Sequence, residues 1–222
     1  MKYLKYFEQA SAYEAYKNGS EFVLPNVSYV EDINVVYYNP YEEPKSPNLV
    51  CTYDITDISQ DIQILHSYGL GYMANMIVDG VEMDVETYYQ FDTVGNHVVE
   101  FVLDDPTTIG KQAFNGCSSL TSIVIPDSVT TIENRAFRDC SALTSIHIGT
   151  GVTTIDNYAF GYCENLNEIT CNAITAPIII SYAFRGVKEG GILKVPAGSD
   201  YSSWMSTGDY NLGEYNWTVE YI

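Results

Sequence analysis

Three histidines, five cysteines and one run of alternating acids are the side chains of this sequence that could do chemistry. A zinc site or a catalytic dyad needs His66, His97 and His147 to converge, and their scatter over separate predicted strands shows no ligand spacing. Each reads as a surface or a satisfied core histidine. The cysteines, at 51, 117, 140, 163 and 171, are odd in number and form no C-x-x-C pair, so a disulfide framework and a zinc ribbon both fit poorly. Glu82, Asp84 and Glu86 would share one strand face and are suitable Ca²⁺ ligands, yet the D-x-D-x-D-G loop is missing and a solvated edge is the better reading. A P-loop, a G-x-G-x-x-G and a G-x-S-x-G are absent as well. No catalytic residue, metal or cofactor is expected. The remaining enzyme class, a glycan hydrolase with paired carboxylates, finds no acid pair that the sequence brings together.

Spacing explains the cysteines better than ligation does. Cys117, Cys140 and Cys163 follow one another at 23 residues, and Ala113-Phe114, Ala136-Phe137, Ala159-Phe160 and Ala183-Phe184 recur at 23, 23 and 24. Four residues before each Ala stands Ile109, Ile132, Ile155 or Ile179, and six after each Phe stands Leu120, Leu143, Leu166 or, in the last copy, Gly190. Ile123 and Ile125, Ile146 and Ile148, Ile169 and Cys171, and Leu193 and Val195 complete the units. A unit this short cannot bury its apolar side alone, so it must stack on its neighbours as a solenoid with parallel strands. Strand alternation turns Ile123 and Ile125 inward and Ser122 and Val124 outward. The Ile-x-x-x-Ala-Phe-x-x-Cys segment returns along the other wall, with Phe filling the interior and the cysteines packed as a ladder of small hydrophobes.

The stretch TTIGKQAFNGCSSLTSIVIPDSVTTIENRAFRDCSALTSIHIGTGVTTIDNYAFGYCENL, from Thr107 to Leu166, resembles the BspA-like leucine-rich repeats common in gut bacteria and their phages. The likeness covers residues 107–196, and its fourth copy departs at Val187 and Gly190, as a terminal capping repeat would. It implies a leucine-rich-repeat domain over residues 105–197. Solenoids usually bind through such a wall of strands. The outward positions Ser122, Val124, Ser145, His147, Glu168, Thr170, Ile192 and Lys194 are therefore the candidate ligand-binding array; the alternative is that they are simply β-compatible surface residues.

The remaining chain divides into three. Residues 49–104 read as five or six short antiparallel strands, a small Ig-like β-sandwich, with Asp79-Gly80 as a hairpin turn, Gly95-Asn96 as a second turn, and Val99, Phe101 and Leu103 facing the core. Residues 198–222 read as a C-terminal cap. Residues 1–48 hold a short amphipathic helix over 7–16, a hairpin over 22–38, and a Pro-rich linker. Eight of the 20 tyrosines lie before residue 48, on a segment too short to hide them. This opening, KYFEQASAYEAYKNGSEFVLPNVSYVEDINVVYYNP, resembles an N-terminal module found ahead of varied domains in proteins of Bacteroides-type bacteria and their phages. That likeness implies an attachment module, and the excess of aromatic rings nominates Tyr3, Tyr6, Phe7, Tyr13, Tyr16, Tyr29, Tyr37 and Tyr38 as its contact residues.

Composition narrows the role. A net charge of -19, from 10 Lys+Arg against 29 Asp+Glu, repels phosphate backbones and anionic membranes, so nucleic acid is excluded as a partner. With 46% hydrophobic and 18% charged residues the chain is folded, and the strand patterns make its class mainly β. The longest apolar run, residues 173–180, contains Pro177 and falls far short of the ~20 residues that cross a bilayer, so no membrane insertion is expected. The first eight residues lack the apolar core of a secretory signal. Together these features predict a non-enzymatic structural and adhesion protein. The expected form is a phage virion fibre or decoration protein at the virion surface, joined to other virion proteins by its N-terminus and presenting the repeat to a host surface protein or glycan. A bacterial cell-surface adhesin whose leader is absent is the alternative, and further copies of this chain, as a homo-oligomer, are among the expected partners.

Overall fold

A computed structural model of the chain describes residues 49–222. The helix, hairpin, linker and attachment residues expected within residues 1–48 lie outside the described residues. Strands β1 (Leu49–Ile55), β2 (Ile62–Gln63), β3 (Met73–Val78), β4 (Val81–Met83), β5 (Tyr88–Tyr89) and β6 (Gly95–Leu103) precede the repeats. Each repeat then supplies a two-residue strand and a longer one. These are β7 (Thr108–Ile109) and β8 (Leu120–Ile125), β9 (Thr131–Ile132) and β10 (Ser145–Ile148), β11 (Thr154–Ile155) and β12 (Glu168–Cys171), and β13 (Ile178–Ile179) and β14 (Ile192–Val195). A last strand, β15 (Thr218–Tyr221), follows from the C-terminal segment.

The solenoid forms because every repeat puts the same side chain at the same depth. The long strands β8, β10, β12, β14 and β15 are parallel neighbours on one wall, and β7, β9, β11 and β13 are parallel neighbours on another. Between them Phe114, Phe137, Phe160 and Phe184 are fully buried and stack nearly parallel, with centroids 5.1, 5.2 and 5.7 Å apart. The cysteine ladder runs alongside. Cys140 Sγ donates to the Phe114 carbonyl at 3.1 Å and Cys163 Sγ to the Phe137 carbonyl at 3.2 Å, so each thiol satisfies a backbone acceptor of the preceding turn. Threonines tie the repeats at their edges: the Thr121 hydroxyl donates to Thr52 O and the Thr144 hydroxyl to Thr121 O, both at 3.0 Å. The corner after β10 needs glycine, since a Cβ on Gly151 would stand 2.0 Å from the Asp127 carbonyl of the corner below.

The return wall is made of tight turns in left-handed backbone. Gln112, Arg135, Tyr158 and Tyr182 occupy one such position, with φ between 55° and 68°, and Gly116, Asp139, Tyr162 and Gly186 occupy the next, with φ between 61° and 78°. This conformation costs a non-glycine residue about 1–2 kcal/mol. Hydrogen bonds between turns offset it: Arg135 N–H reaches Asn157 O at 3.1 Å, Tyr162 N–H reaches Arg185 O at 2.6 Å, and Tyr182 N–H reaches Asp209 O at 3.1 Å.

Residues 49–103 carry the expected antiparallel strands, and their buried side chains join the core of the repeats. Their strands continue the solenoid sheet in the order β15-β14-β12-β10-β8-β1-β6-β3-β4. β1 is the hinge of this arrangement, pairing antiparallel with β6 (Cys51 beside Val99) and with β8 (Cys51 beside Ile123). The physical reason is that β8 begins the parallel stack and would otherwise present an unpaired edge over an open core. The Asp79-Gly80 turn joins β3 and β4 with φ of 48° and 82°, as a two-residue hairpin requires. By contrast, β5 pairs with β2 rather than across Gly95-Asn96 with β6. Ile64, Leu65 and Phe91, flanking that small sheet, join the same core cluster as the repeat residues, and the buried Tyr53 hydroxyl donates to Ile64 O.

The C-terminal segment completes a fifth turn. Trp204 is fully buried with its ring 5.3 Å from Phe184, its indole N–H donates to Pro177 O at 2.8 Å, and Tyr201 packs edge-on against it. Among the described residues no helix is long and apolar enough to cross a membrane.

Candidate functional site

The structure brings all eight outward residues of the repeat strands together in two rows of four. Ser122, Ser145, Glu168 and Ile192 are successive neighbours in one row, and Val124, His147, Thr170 and Lys194 in the other. Both rows run on beyond the repeats: Thr218 and Glu220 of β15 stand beside Ile192 and Lys194, while Thr52 and Val50 of β1 stand beside Ser122 and Val124. Val98 and Glu100 of β6 extend them again. No repeat pattern marks these additions. The alternation of buried Leu49, Cys51, Tyr53 and Ile55 along β1 turns Val50 and Thr52 outward.

The middle of this face is already matched in charge. Lys194 Nζ donates to Glu168 Oε2 at 2.8 Å, and that hydrogen bond holds the ammonium above its ordinary pKa. Asn172 Nδ2 lies 2.9 Å from His147 Nε2, which serves as its acceptor in the neutral imidazole. At the corner below, the Asp127 carboxylate accepts the Thr150 N–H at 2.7 Å, which lowers its pKa. Apolar side chains flank the polar centre, Val124 being 45% exposed and Ile192 37%. Such a surface has donors, acceptors and apolar contacts in a fixed two-residue lattice with rows ~4.8 Å apart. It suits contact with another surface.

The other chemical candidates are placed elsewhere. All five cysteines are buried and free, and burial pushes every thiol above its ordinary pKa, the opposite of a reactive thiolate. His66 lies against Tyr68, rings 5.3 Å apart, and accepts its backbone N–H at 3.2 Å. His97 is nearly buried, with Nδ1 2.6 Å from Asp79 Oδ2 and Nε2 3.0 Å from Thr93 O. Glu82, Asp84 and Glu86 are exposed and do not share one strand, because β4 ends at Met83 and Glu82 engages Asn75. Among the described residues no three metal-ligating side chains converge.

Residues 91–201, half of the chain, match the BspA type leucine rich repeat region in six copies. No curated protein and no solved structure matches the chain. The match spans the stacked Phe and Cys columns and both rows of the strand face, and by it the chain belongs to the BspA-type leucine-rich repeat family.

Proposed function

We propose that this chain is a non-enzymatic adhesion protein of a phage virion, a fibre or decoration protein whose strand face contacts a protein or glycan on the host surface. Leucine-rich repeats generally serve as protein-interaction scaffolds, and a protein-binding or adhesion role follows from the family. The observation that carries the reading further is the open face of the nine-stranded sheet, where an array of small polar, charged and apolar side chains stands on a rigid backbone. Rigid presentation limits the entropy lost on binding. The virion assignment draws on the resemblance of the opening residues to an N-terminal module of proteins from Bacteroides-type bacteria and their phages.

Immunogold negative-stain imaging of the native source tests the assignment: label on particles is the expected result, and label on the cell envelope would replace it with a bacterial adhesin. His147→Ala/Glu168→Ala should reduce capture of the protein by host cells. A chain beginning at Asn48 should stay folded yet fail to join particles, and assembly without residues 1–48 would move the anchor elsewhere.

A further inference from the structure

All three arginines of the chain, Arg135, Arg138 and Arg185, lie on the turn wall and not on the strand face. In a chain with 29 acids, only one of the three touches a carboxylate among the described residues. That contact is weak: Arg138 Nε is 3.5 Å from Asp139 Oδ2 without the geometry of a hydrogen bond. Arg135 Nε is also buried without a partner. Glu214, four residues beyond Tyr210, is turned to the Tyr210 backbone N–H at 3.1 Å.

Two of the guanidinium groups, those of Arg138 and Arg185, are instead held by tyrosine. Arg138 Cζ lies 5.1 Å from the Tyr162 ring centroid and 5.8 Å from that of Tyr158. Arg185 Cζ lies 4.7 Å from Tyr210, 5.6 Å from Tyr162 and 5.8 Å from Tyr182, and its Nη1 donates to the Tyr158 hydroxyl at 3.2 Å. Tyr158 and Tyr182 stack at 5.3 Å. Stacking uses the faces of rings and guanidinium planes and leaves the planar N–H forks at their edges, already ordered, for a carboxylate. Tyr162 holds a left-handed backbone position where Gly116, Asp139 and Gly186 stand in the other repeats, and Tyr158 and Tyr182 hold one where Gln112 and Arg135 stand, so the backbone is not what calls for tyrosine there.

We infer that this Tyr–Arg wall is a second docking surface, for a protein partner that presents Asp and Glu side chains. Charge complementarity names the partner's chemistry, because the wall concentrates the chain's only guanidinium groups and, among the described residues, only Arg138 touches a carboxylate. Tyrosine and arginine are also the residues enriched at protein interfaces and their hot spots, which favours a protein over a polysaccharide. The inference rests on the reading of the repeat as a protein-binding module and adds a wall to it.

Fluorescence anisotropy of the full chain with a labelled Glu-rich peptide, at low salt, tests it, beside a Ser-rich peptide and an oligogalacturonate. The Glu-rich peptide should bind in preference to both, against the net charge. Arg138→Gln/Arg185→Gln should weaken it by about tenfold or more. Arg138→Lys/Arg185→Lys, which keeps charge but not the fork, should weaken it by less, with the fold checked by circular dichroism. His147→Ala/Glu168→Ala should leave it unchanged. Equal binding of the Ser-rich peptide, stronger binding of the oligogalacturonate, no binding of the Glu-rich peptide, or binding that survives in both arginine variants would overturn the inference. Host-cell capture that still depends on His147 and Glu168 would then leave the strand-face reading standing alone.

Discussion

Phe101 of β6 meets Phe114 of the first repeat edge-on, with ring centroids 5.3 Å apart and planes at 74°. Through this contact the antiparallel strands and the solenoid share one aromatic column, continued by Phe137, Phe160 and Phe184 and closed by Trp204. A column of stacked repeats is stable only if both ends are covered. Phe101 covers one end and Trp204 the other.

Phe137→Ala, in the middle of that column, should therefore cost about 3–5 kcal/mol, as a large truncation in a core with little room to relax. Phe101→Ala should destabilise residues 49–222 as one unit. Thermal unfolding followed by both tryptophan fluorescence and far-UV circular dichroism checks this. Two separate transitions would mean that the antiparallel strands fold independently of the repeat.

Native thiol labelling should be slow at all five cysteines and fast in denaturant, because each is buried. The same burial has a pH consequence. A thiol whose folded pKa is raised contributes stability below its unfolded value, and loses it as pH climbs from about 8.5 toward the folded value. The denaturant midpoint should therefore fall between neutral and strongly alkaline pH. A Cys117→Ala/Cys140→Ala/Cys163→Ala chain should show a shallower fall, and equal slopes would refute the ladder as its source.

Tyr53→Phe removes a fully buried hydroxyl whose hydrogen bond satisfies the Ile64 carbonyl. The unpaired acceptor should cost about 1–3 kcal/mol, although the ring still fills its place. Equilibrium urea denaturation reads the difference directly. A stability equal to that of the parent would show that water reaches Ile64.

His97 links stability to pH in the physiological range. Burial pulls its imidazole pKa down, but the hydrogen bonds to Asp79 and to the Thr93 carbonyl outweigh burial and raise it above the ordinary value. Both ring N–H groups can donate only in the protonated form. The stabilisation is thus full below about pH 6.5 and is lost as pH rises through the folded pKa. Unfolding midpoints should decline over that window, modestly because half of the Asp79 side chain is exposed, and Asp79→Asn should flatten the decline. A histidine titration by NMR at or below the ordinary value would contradict the assignment.

Much of this molecule was legible in the primary structure because a solenoid repeats its environment along with its residues. The Ile, Ala-Phe, Cys and Leu columns report depth in the core, and alternation within Leu120–Ile125 and its counterparts decides which side chains face outward. The eight strand-face residues follow from that alone, as does the Asp79-Gly80 hairpin from its turn chemistry. What tertiary structure decided are the contacts with no period. β1 enters between β6 and β8, where Thr121 reaches Thr52 across 69 residues of chain, because an open edge must be paired by whatever strand can reach it. Trp204 takes the place of a fifth Phe without its sequence frame, since only ring volume and a reachable carbonyl are needed there. Lys194 pairs with Glu168, and Arg138 and Arg185 gather among tyrosines, because stacking sets distant turns ~5 Å apart, a proximity that spacing along the chain suggests only once the fold has fixed which side chains share a wall.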